Sequence, residues 1–153
     1  MNKNIQFDIM DVADWFLNKC PVQHKRLQKL CYYAVAWHYA LLDRPLCRRD
    51  EFQAWVHGPV NSILYSKYKN YVWTPIPQLF GKKDFGESED VFELVWDTYK
   101  DLSGYDLEFL THDEDPWIIA REGLEEYEPS ENIISIDDMK KFYRRVYEEA
   151  QND

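Results

Sequence analysis

Apolar residues recur along much of the chain at the spacing of amphipathic α-helices. Residues 8–19 show this spacing and predict a first helix, which is expected to end at Cys20 because the following Pro21 disfavours helical backbone before it. Residues 23–42 carry the longest apolar stripe and predict a second helix at the centre of the fold. That stripe consists of Leu27, Leu30, Cys31, Ala34, Val35, His38, Leu41 and Leu42.

The pattern changes to strict alternation over residues 51–56, which predicts a short strand. Gly58 and Pro59 are expected to end this strand, with Gly58 at a sharp bend and Pro59 in the first turn of the next helix. Residues 72–86 contain two prolines and are expected to be irregular and extended, beside the short strand. Ile133 and Ile134 are expected to add a further strand to this small sheet.

Three serines mark the starts of helices in the second half of the chain: Ser88, Ser103 and Ser135. The residues expected to face inward are Val91, Leu94, Val95, Thr98 and Leu102 on the first of these helices, and Met139, Phe142, Tyr143, Val146 and Tyr147 on the last. We therefore expect residues 1–153 to form a single, mainly α domain of about six to seven helices around a central helix, with a small antiparallel β-sheet or hairpin.

Composition excludes several classes of protein. With 45% hydrophobic and 16% aromatic residues and five glycines, the 153-residue chain reads as an ordered domain. No run approaches the roughly 18 apolar residues of a membrane-spanning helix, and the first residues lack the apolar core of a signal peptide. Three cysteines without a Cys-x-x-Cys spacing fit free thiols and a cytoplasmic location.

Charge is divided unevenly between the two halves of the chain. Residues 1–80 hold ten Lys/Arg and six Asp/Glu, a net charge of +4, whereas residues 81–153 hold eight and 22, a net charge of −14. One interpretation is a solvated acidic face. The other is a surface that attracts a basic protein and repels nucleic acid.

The stretch LTHDEDPWIIARE, residues 110–122, combines a histidine with three successive carboxylates. Its first interpretation is a helix start, with Thr111 and Glu114 as a capping box, or with Asp115 as N-cap before Pro116 at the first helical position. The helix is expected to continue to Leu124. On this interpretation Trp117 is a buried anchor, and His112 and Glu114 form hydrogen bonds within the junction.

Chemical alternatives were weighed against that structural one. A metal-dependent hydrolase could use His112 with its acidic neighbours, but no His-Glu-x-x-His or calcium-loop spacing is present. Cys20 and His24 supply at most two of the four ligands that structural zinc needs. Nucleophile motifs and glycine-rich phosphate loops are also absent, so neither a catalytic residue nor a cofactor is predicted.

A basic piece at the start of the central helix supports a third hypothesis, a nucleic-acid-binding regulatory protein of a phage or mobile element. Its basic residues are Lys25, Arg26 and Lys29, joined by Arg44, Arg48 and Arg49 of the connector. Helical spacing also allows Lys25, Gln28 and Lys29 to line the apolar stripe with their stems packed down. Trp55 and Tyr65 are residue types that dominate protein-binding hot spots, which keeps a protein interface open.

Four blocks of sequence resemble the SocA-like, or Panacea, antitoxin domain of GepA-type phage-associated proteins. They are Asp11 to Leu17; Lys25 to Ala34 with Trp37 and His38; Phe52 to Trp55 with Gly58, Pro59, Val60 and Tyr65; and Leu110, Thr111, His112, Glu114, Pro116, Trp117, Ala120 and Arg121. The order of the blocks makes the resemblance specific. His57 departs from it, standing where an aromatic residue commonly precedes Gly-Pro.

The resemblance implies a mainly helical fold with a small antiparallel sheet and an antitoxin function. Such antitoxins are encoded beside a toxin, often in prophages, and neutralise it by direct binding. A related member hands its toxin to a Clp-type AAA+ protease. No catalytic residues, metal ligands or cofactors are established for the family, so the expected partner is a cognate toxin protein and no enzyme activity is expected.

Two sets of residues follow as predictions. Partner contacts are expected from Lys25, Gln28, Lys29, Trp55, His57 and Tyr65. A structural motif is expected from Gly58, Pro59, Thr111, His112, Glu114, Asp115, Pro116 and Trp117.

Overall fold

The computed structural model describes residues 5–81 and 83–152, which form seven α-helices and a two-stranded antiparallel sheet. Along the chain these are α1 (Ile9–Leu17), α2 (His24–Leu42), β1 (Gln53–Trp55), β2 (Gly58–Val60), α3 (Ser62–Tyr68), α4 (Glu89–Tyr99), α5 (Gly104–His112), α6 (Asp115–Ala120) and α7 (Ile136–Gln151). The predicted mainly α fold, a single compact domain with a small antiparallel sheet, is confirmed.

Helix α2 is the centre of the molecule because almost its whole circumference is covered. Fifteen of its residues are buried, and α1, α4, α5 and α7 pack around it. Tyr33 stacks on Tyr99 of α4 with ring centroids 4.1 Å apart. On the next turn, Trp37 Nε1 donates a hydrogen bond of 2.9 Å to the Tyr99 hydroxyl. The central position predicted for this helix is confirmed.

Strand β1 ends before Gly58, as predicted, but Gly58 and Pro59 form strand β2, so the prediction that Pro59 lies in the first turn of the next helix is wrong. Gly58 pairs with Trp55, and Pro59 pairs with Ala54, in a tight hairpin. Ala54 N–H points away from Pro59 and donates to the Asn132 carbonyl. Ala54 and Pro59 form a pair that exchanges no backbone hydrogen bonds, so the pairing does not need the N–H that proline lacks. Helix α3 begins after Asn61, whose side chain accepts from two backbone N–H groups of the first turn.

The two extended segments behave differently. Ile133 bridges to Gln53 in antiparallel fashion, and Ile134 N–H donates to the Phe52 carbonyl at 2.8 Å. The two residues therefore lie beside β1 as expected, but they form an isolated bridge and not the further strand that was predicted. The irregular segment 72–86 does not lie beside the hairpin as expected. Its Ile76 instead bridges to Val22 between α1 and α2, because that connection offers free backbone groups.

The inward faces of two helices differ from those predicted. On α4 the buried residues are Val91, Phe92, Val95 and Tyr99, whereas Leu94 and Thr98 are exposed. The inward face of α4 is the one that carries Phe92 and Tyr99, because their rings pack on Trp15 and Tyr33. On α7, Met139 and Tyr143 are buried. Val146 and Tyr147 are 37% and 40% exposed, because that end of the helix extends past the core.

The three cysteines are free thiols, as expected. Burial raises the pKa of the Cys31 and Cys47 thiols well above the usual value. Within the described residues, no helix combines the length and apolar character needed to cross a membrane.

Candidate protein-docking surface

Two side chains hold the hairpin of β1 and β2 in place: Trp117 of α6 and Arg121 at the end of α6. Trp117 Nε1 donates to the Trp55 carbonyl at 2.9 Å, and Arg121 Nη1 donates to the Ala54 carbonyl at 2.9 Å. Trp117 is 7% exposed, so its predicted role as a buried anchor is confirmed. Arg121 is also buried; it belongs to the fourth block of the family resemblance, but its contact with Ala54 was not predicted.

An aromatic pair forms the outer face of the hairpin. The rings of Trp55 and Tyr65 lie 4.9 Å apart, and Trp55 Nε1 donates to the Gln53 side chain at 2.8 Å. Behind them, His24 contacts Tyr65 at 5.4 Å. Trp55 is half-buried and Tyr65 is 38% exposed. The structure therefore brings two of the predicted contact residues together on one accessible surface.

Glu108 of α5 joins two further predicted contact residues. Its carboxylate accepts from Lys25 Nζ at 2.5 Å and from His57 Nδ1 at 2.9 Å. Burial alone would raise the pKa of Glu108, but the Lys25 and His57 hydrogen bonds lower it below the ordinary value. Lys25 also lies over the Tyr105 ring at 4.2 Å. Sequence reasoning missed Glu108 because its partners are 51 and 83 positions away.

Gln28 and Lys29 lie beneath this surface, each 2% exposed. The Gln28 amide bonds with Asn61, accepting from its N–H at 2.8 Å and donating to its carbonyl at 3.0 Å. Lys29 Nζ donates to the Pro59 carbonyl at 3.3 Å. Both side chains thus tie α2 to the hairpin and support the surface from behind.

The helix junction at residues 110–122 differs from both capping predictions. Thr111 belongs to α5, and its hydroxyl donates to the Glu108 carbonyl. Asp115 is the first residue of α6 and Pro116 the second, with Glu114 at the N-cap position. Helix α6 ends at Ala120 and does not reach Leu124.

The Glu114 side chain turns inward and does not cap α6. Its Oε1 accepts from the Tyr33 and Tyr143 hydroxyls, each at 2.8 Å. Burial raises the pKa of Glu114 to about 7. The expected hydrogen bond within the junction is therefore replaced by contacts with α2 and α7.

His112 is held mainly by stacking. Its ring lies 4.0 Å from the Trp117 ring at an interplanar angle of 18°. Its Nε2 is buried with no hydrogen-bond partner in the part of the chain that the structure describes, and lies 4.0 Å from Glu108 Oε2. Burial lowers the pKa of His112. Among residues 5–81 and 83–152, no group of three or more His, Cys, Asp or Glu side chains is arranged to hold a metal ion.

The basic residues behind the nucleic-acid hypothesis are engaged inside the molecule. Lys29 is buried, and Lys25 bonds with Glu108. Arg26 donates to the Leu102 and Lys100 carbonyls, Arg44 pairs with Glu87, Arg48 donates to the Ile5 and Gln6 carbonyls, and Arg49 pairs with Asp8. These contacts connect separate elements of the fold, although the Arg44 and Arg49 side chains remain 46% and 52% exposed.

Comparison with known protein families assigns the central part of the chain. The family model described as antitoxin SocA-like, Panacea domain, matches residues 27–118. The matched residues run from α2 into α6 and include the hairpin, Tyr65 and Glu108. No curated protein and no solved structure matches the chain.

Proposed function

The chain belongs to the family of SocA-like antitoxins with a Panacea domain, and on that premise we propose that it neutralises a cognate toxin by binding the toxin protein directly. The match over residues 27–118 carries this proposal. Helices α1 and α7 flank the matched residues and pack on α2, so we take residues 1–153 as one such domain. Its place of action is the cytoplasm, and it works without catalysis or a cofactor.

We place the toxin contact on the hairpin surface, defined as Lys25, Trp55, His57 and Tyr65. Two contacts support this assignment: the Trp55 ring packs against the Tyr65 ring, and Glu108 bonds both Lys25 and His57. Aromatic residues on a preformed backbone give large contact area at low entropy cost, which suits a binding hot spot. The alternative hypotheses have less support, because the basic residues are internally paired and no metal cluster is present in the part of the chain described.

Direct blocking and delivery to a protease predict different fates for the toxin. We propose blocking, in which the toxin persists in the complex at an unchanged level. An adaptor that hands the toxin to a Clp-type AAA+ protease would shorten the toxin half-life in cells that contain the protease. Measuring the toxin level during neutralisation separates the two routes.

The test is co-expression with the product of the neighbouring gene. The neighbouring product alone is expected to stop growth, and co-expression is expected to restore growth and to yield a co-purifying complex. Tyr65→Ala should weaken the complex by about tenfold or more, as hot-spot truncations do. Phe80→Ala is the matched control, because Phe80 is 85% exposed on the separate segment 72–86.

Two outcomes contradict parts of this proposal. A harmless neighbouring product, or a toxic one that stays unbound, argues against antitoxin function. A complex that tolerates Tyr65→Ala but is weakened by Phe80→Ala contradicts the choice of the hairpin surface and leaves antitoxin function standing.

A further inference from the structure

An apolar groove lies beside the turn of the hairpin. One wall is Trp55, Val56 and His57, and the other is Pro129, Ser130 and Glu131, around a cavity of about 270 Å³. Pockets for drug-sized ligands span roughly 300–1,000 Å³. The groove therefore has the size for one or two side chains of a docked protein segment.

The far wall of the groove is held in place by one buried arginine. Arg121 Nη2 donates to the Glu128 carbonyl at 2.6 Å and to the Glu125 carbonyl at 3.1 Å, while its Nη1 holds Ala54 of the hairpin. The guanidinium also lies over the Trp117 ring at 5.1 Å. Arg121 thus bonds the residue that precedes each wall, Ala54 before Trp55 and Glu128 before Pro129, which favours a preformed groove that binding need not order.

The charges around the groove decide the chemistry of its occupant. Residues 122–139 contain seven Asp/Glu and no Lys or Arg. Glu131 lines the groove, and Glu126 is exposed on the same loop. The positive groups nearby are engaged: Arg121 is 5% exposed, and His57 bonds to Glu108. A basic segment complements this rim, whereas an acidic one is repelled.

We propose that this groove docks a basic segment of the toxin, which places an apolar side chain against Trp55 and flanking Lys or Arg side chains beside the loop carboxylates. The inference rests on the proposed function, because it names the chemistry of the partner at the edge of the hairpin surface. The net charge of −10 steers such a basic partner toward the protein at low salt.

The first experiment reverses charge at Glu131, which lines the groove, and at Glu126, which lies on the same loop beside the neighbouring pocket of His112 and Trp117. Glu126→Lys/Glu131→Lys is compared with Glu148→Lys/Glu149→Lys, the same charge change on the exposed end of α7. We expect the groove variant to bind the toxin about tenfold more weakly at low salt and to lose most of its salt dependence. The α7 variant should stay within about twofold of the unmodified protein.

The second experiment probes the groove without the toxin. The peptide acetyl-Gly-Arg-Leu-Arg-Gly-amide is titrated into the protein, and the indole N–H signal of Trp55 is followed by NMR. We expect this signal to shift, whereas acetyl-Gly-Glu-Leu-Glu-Gly-amide should leave it in place. The shift should also be lost in the Glu126→Lys/Glu131→Lys variant.

The outcomes separate this inference from the proposed function. If the toxin binds the groove variant and the unmodified protein equally, and Trp55 does not respond to the basic peptide, the groove assignment is overturned while antitoxin function stands. If no toxin binds, the proposed function fails and the peptide titration alone decides the groove: a shift that is specific to the basic peptide supports it, and no shift overturns it.

Discussion

Lys29 is a buried basic residue that connects α2 to the hairpin. Its ammonium group is inside the protein, where its hydrogen bond in the described structure is the one to the Pro59 carbonyl at 3.3 Å. The pKa of Lys29 is lowered to about 7, mainly by burial and to a smaller extent by neighbouring Lys25, while Glu108 opposes the shift. The protonated form is therefore costly in the folded state.

Lys29→Met should raise the free energy of unfolding, with a gain that depends on pH. The folded pKa of about 7 lies below the value of 10.5 for the free side chain, so the cost of Lys29 is full below pH 7 and fades as pH rises toward 10.5. We expect Lys29→Met to raise the free energy of unfolding by about 3 kcal/mol at pH 6 and by only about 1 kcal/mol at pH 9. Urea unfolding at both pH values measures it.

The control for this experiment is Lys67→Met on the exposed face of α3. A gain that grows with pH, or one that matches the control, would show that the buried amine of Lys29 is not destabilising.

At the scale of elements, Gly58 determines that β2 can lie against α2. Its φ is 107°, a region that side chains rarely adopt. A Cβ at this position would lie 2.8 Å from Lys29 Cε. The hairpin therefore depends on glycine for both its backbone conformation and its close contact with the central helix.

Gly58→Ala is expected to lower the free energy of unfolding by about 3 kcal/mol, combining backbone strain with the clash. Gly123→Ala separates these causes, because Gly123 also has a positive φ of 85° but no atom within 4 Å of its Cβ position. The control should lose only about 1 kcal/mol. Equal losses in chemical unfolding would mean that contact with Lys29 contributes nothing.

Two helix starts were predictable from local spacing, whereas the hairpin was not. Ser103 with Asp106 and Ser135 with Asp138 begin α5 and α7 as their spacing indicated, because a cap needs only residues within one turn. Gly-Pro fits both a helix start and an edge strand. The pairing with Ala54 decided between them.

At the scale of the whole molecule, Glu114 joins three regions that are distant in sequence. Its carboxylate accepts from Tyr33, 81 positions away on α2, and from Tyr143, 29 positions away on α7. Tyr143 also lies 3.2 Å from the Tyr32 hydroxyl. This buried network holds α7, which lies outside the matched residues 27–118, against the core.

Tyr143→Phe should lower the free energy of unfolding by about 2 kcal/mol, because it removes a donor from a buried carboxylate. Tyr147→Phe on the same helix is the control, since Tyr147 is 40% exposed. Its effect should stay within about 0.5 kcal/mol. Urea unfolding followed by tryptophan fluorescence distinguishes them, and equal small effects would show that the Glu114 network contributes little.

The sequence by itself determined the mainly α fold, the central helix and the buried position of Trp117, because periodicity and local capping act between near neighbours. It also indicated which aromatic residues gather at the hairpin. Only the tertiary structure decided that Glu108 bonds both Lys25 and His57, that Glu114 turns into the core, and that Arg121 holds the groove. Glu108 lies 51 and 83 positions from its two partners, Glu114 lies 81 from Tyr33, and Arg121 lies 67 from Ala54, so no local pattern encodes these contacts.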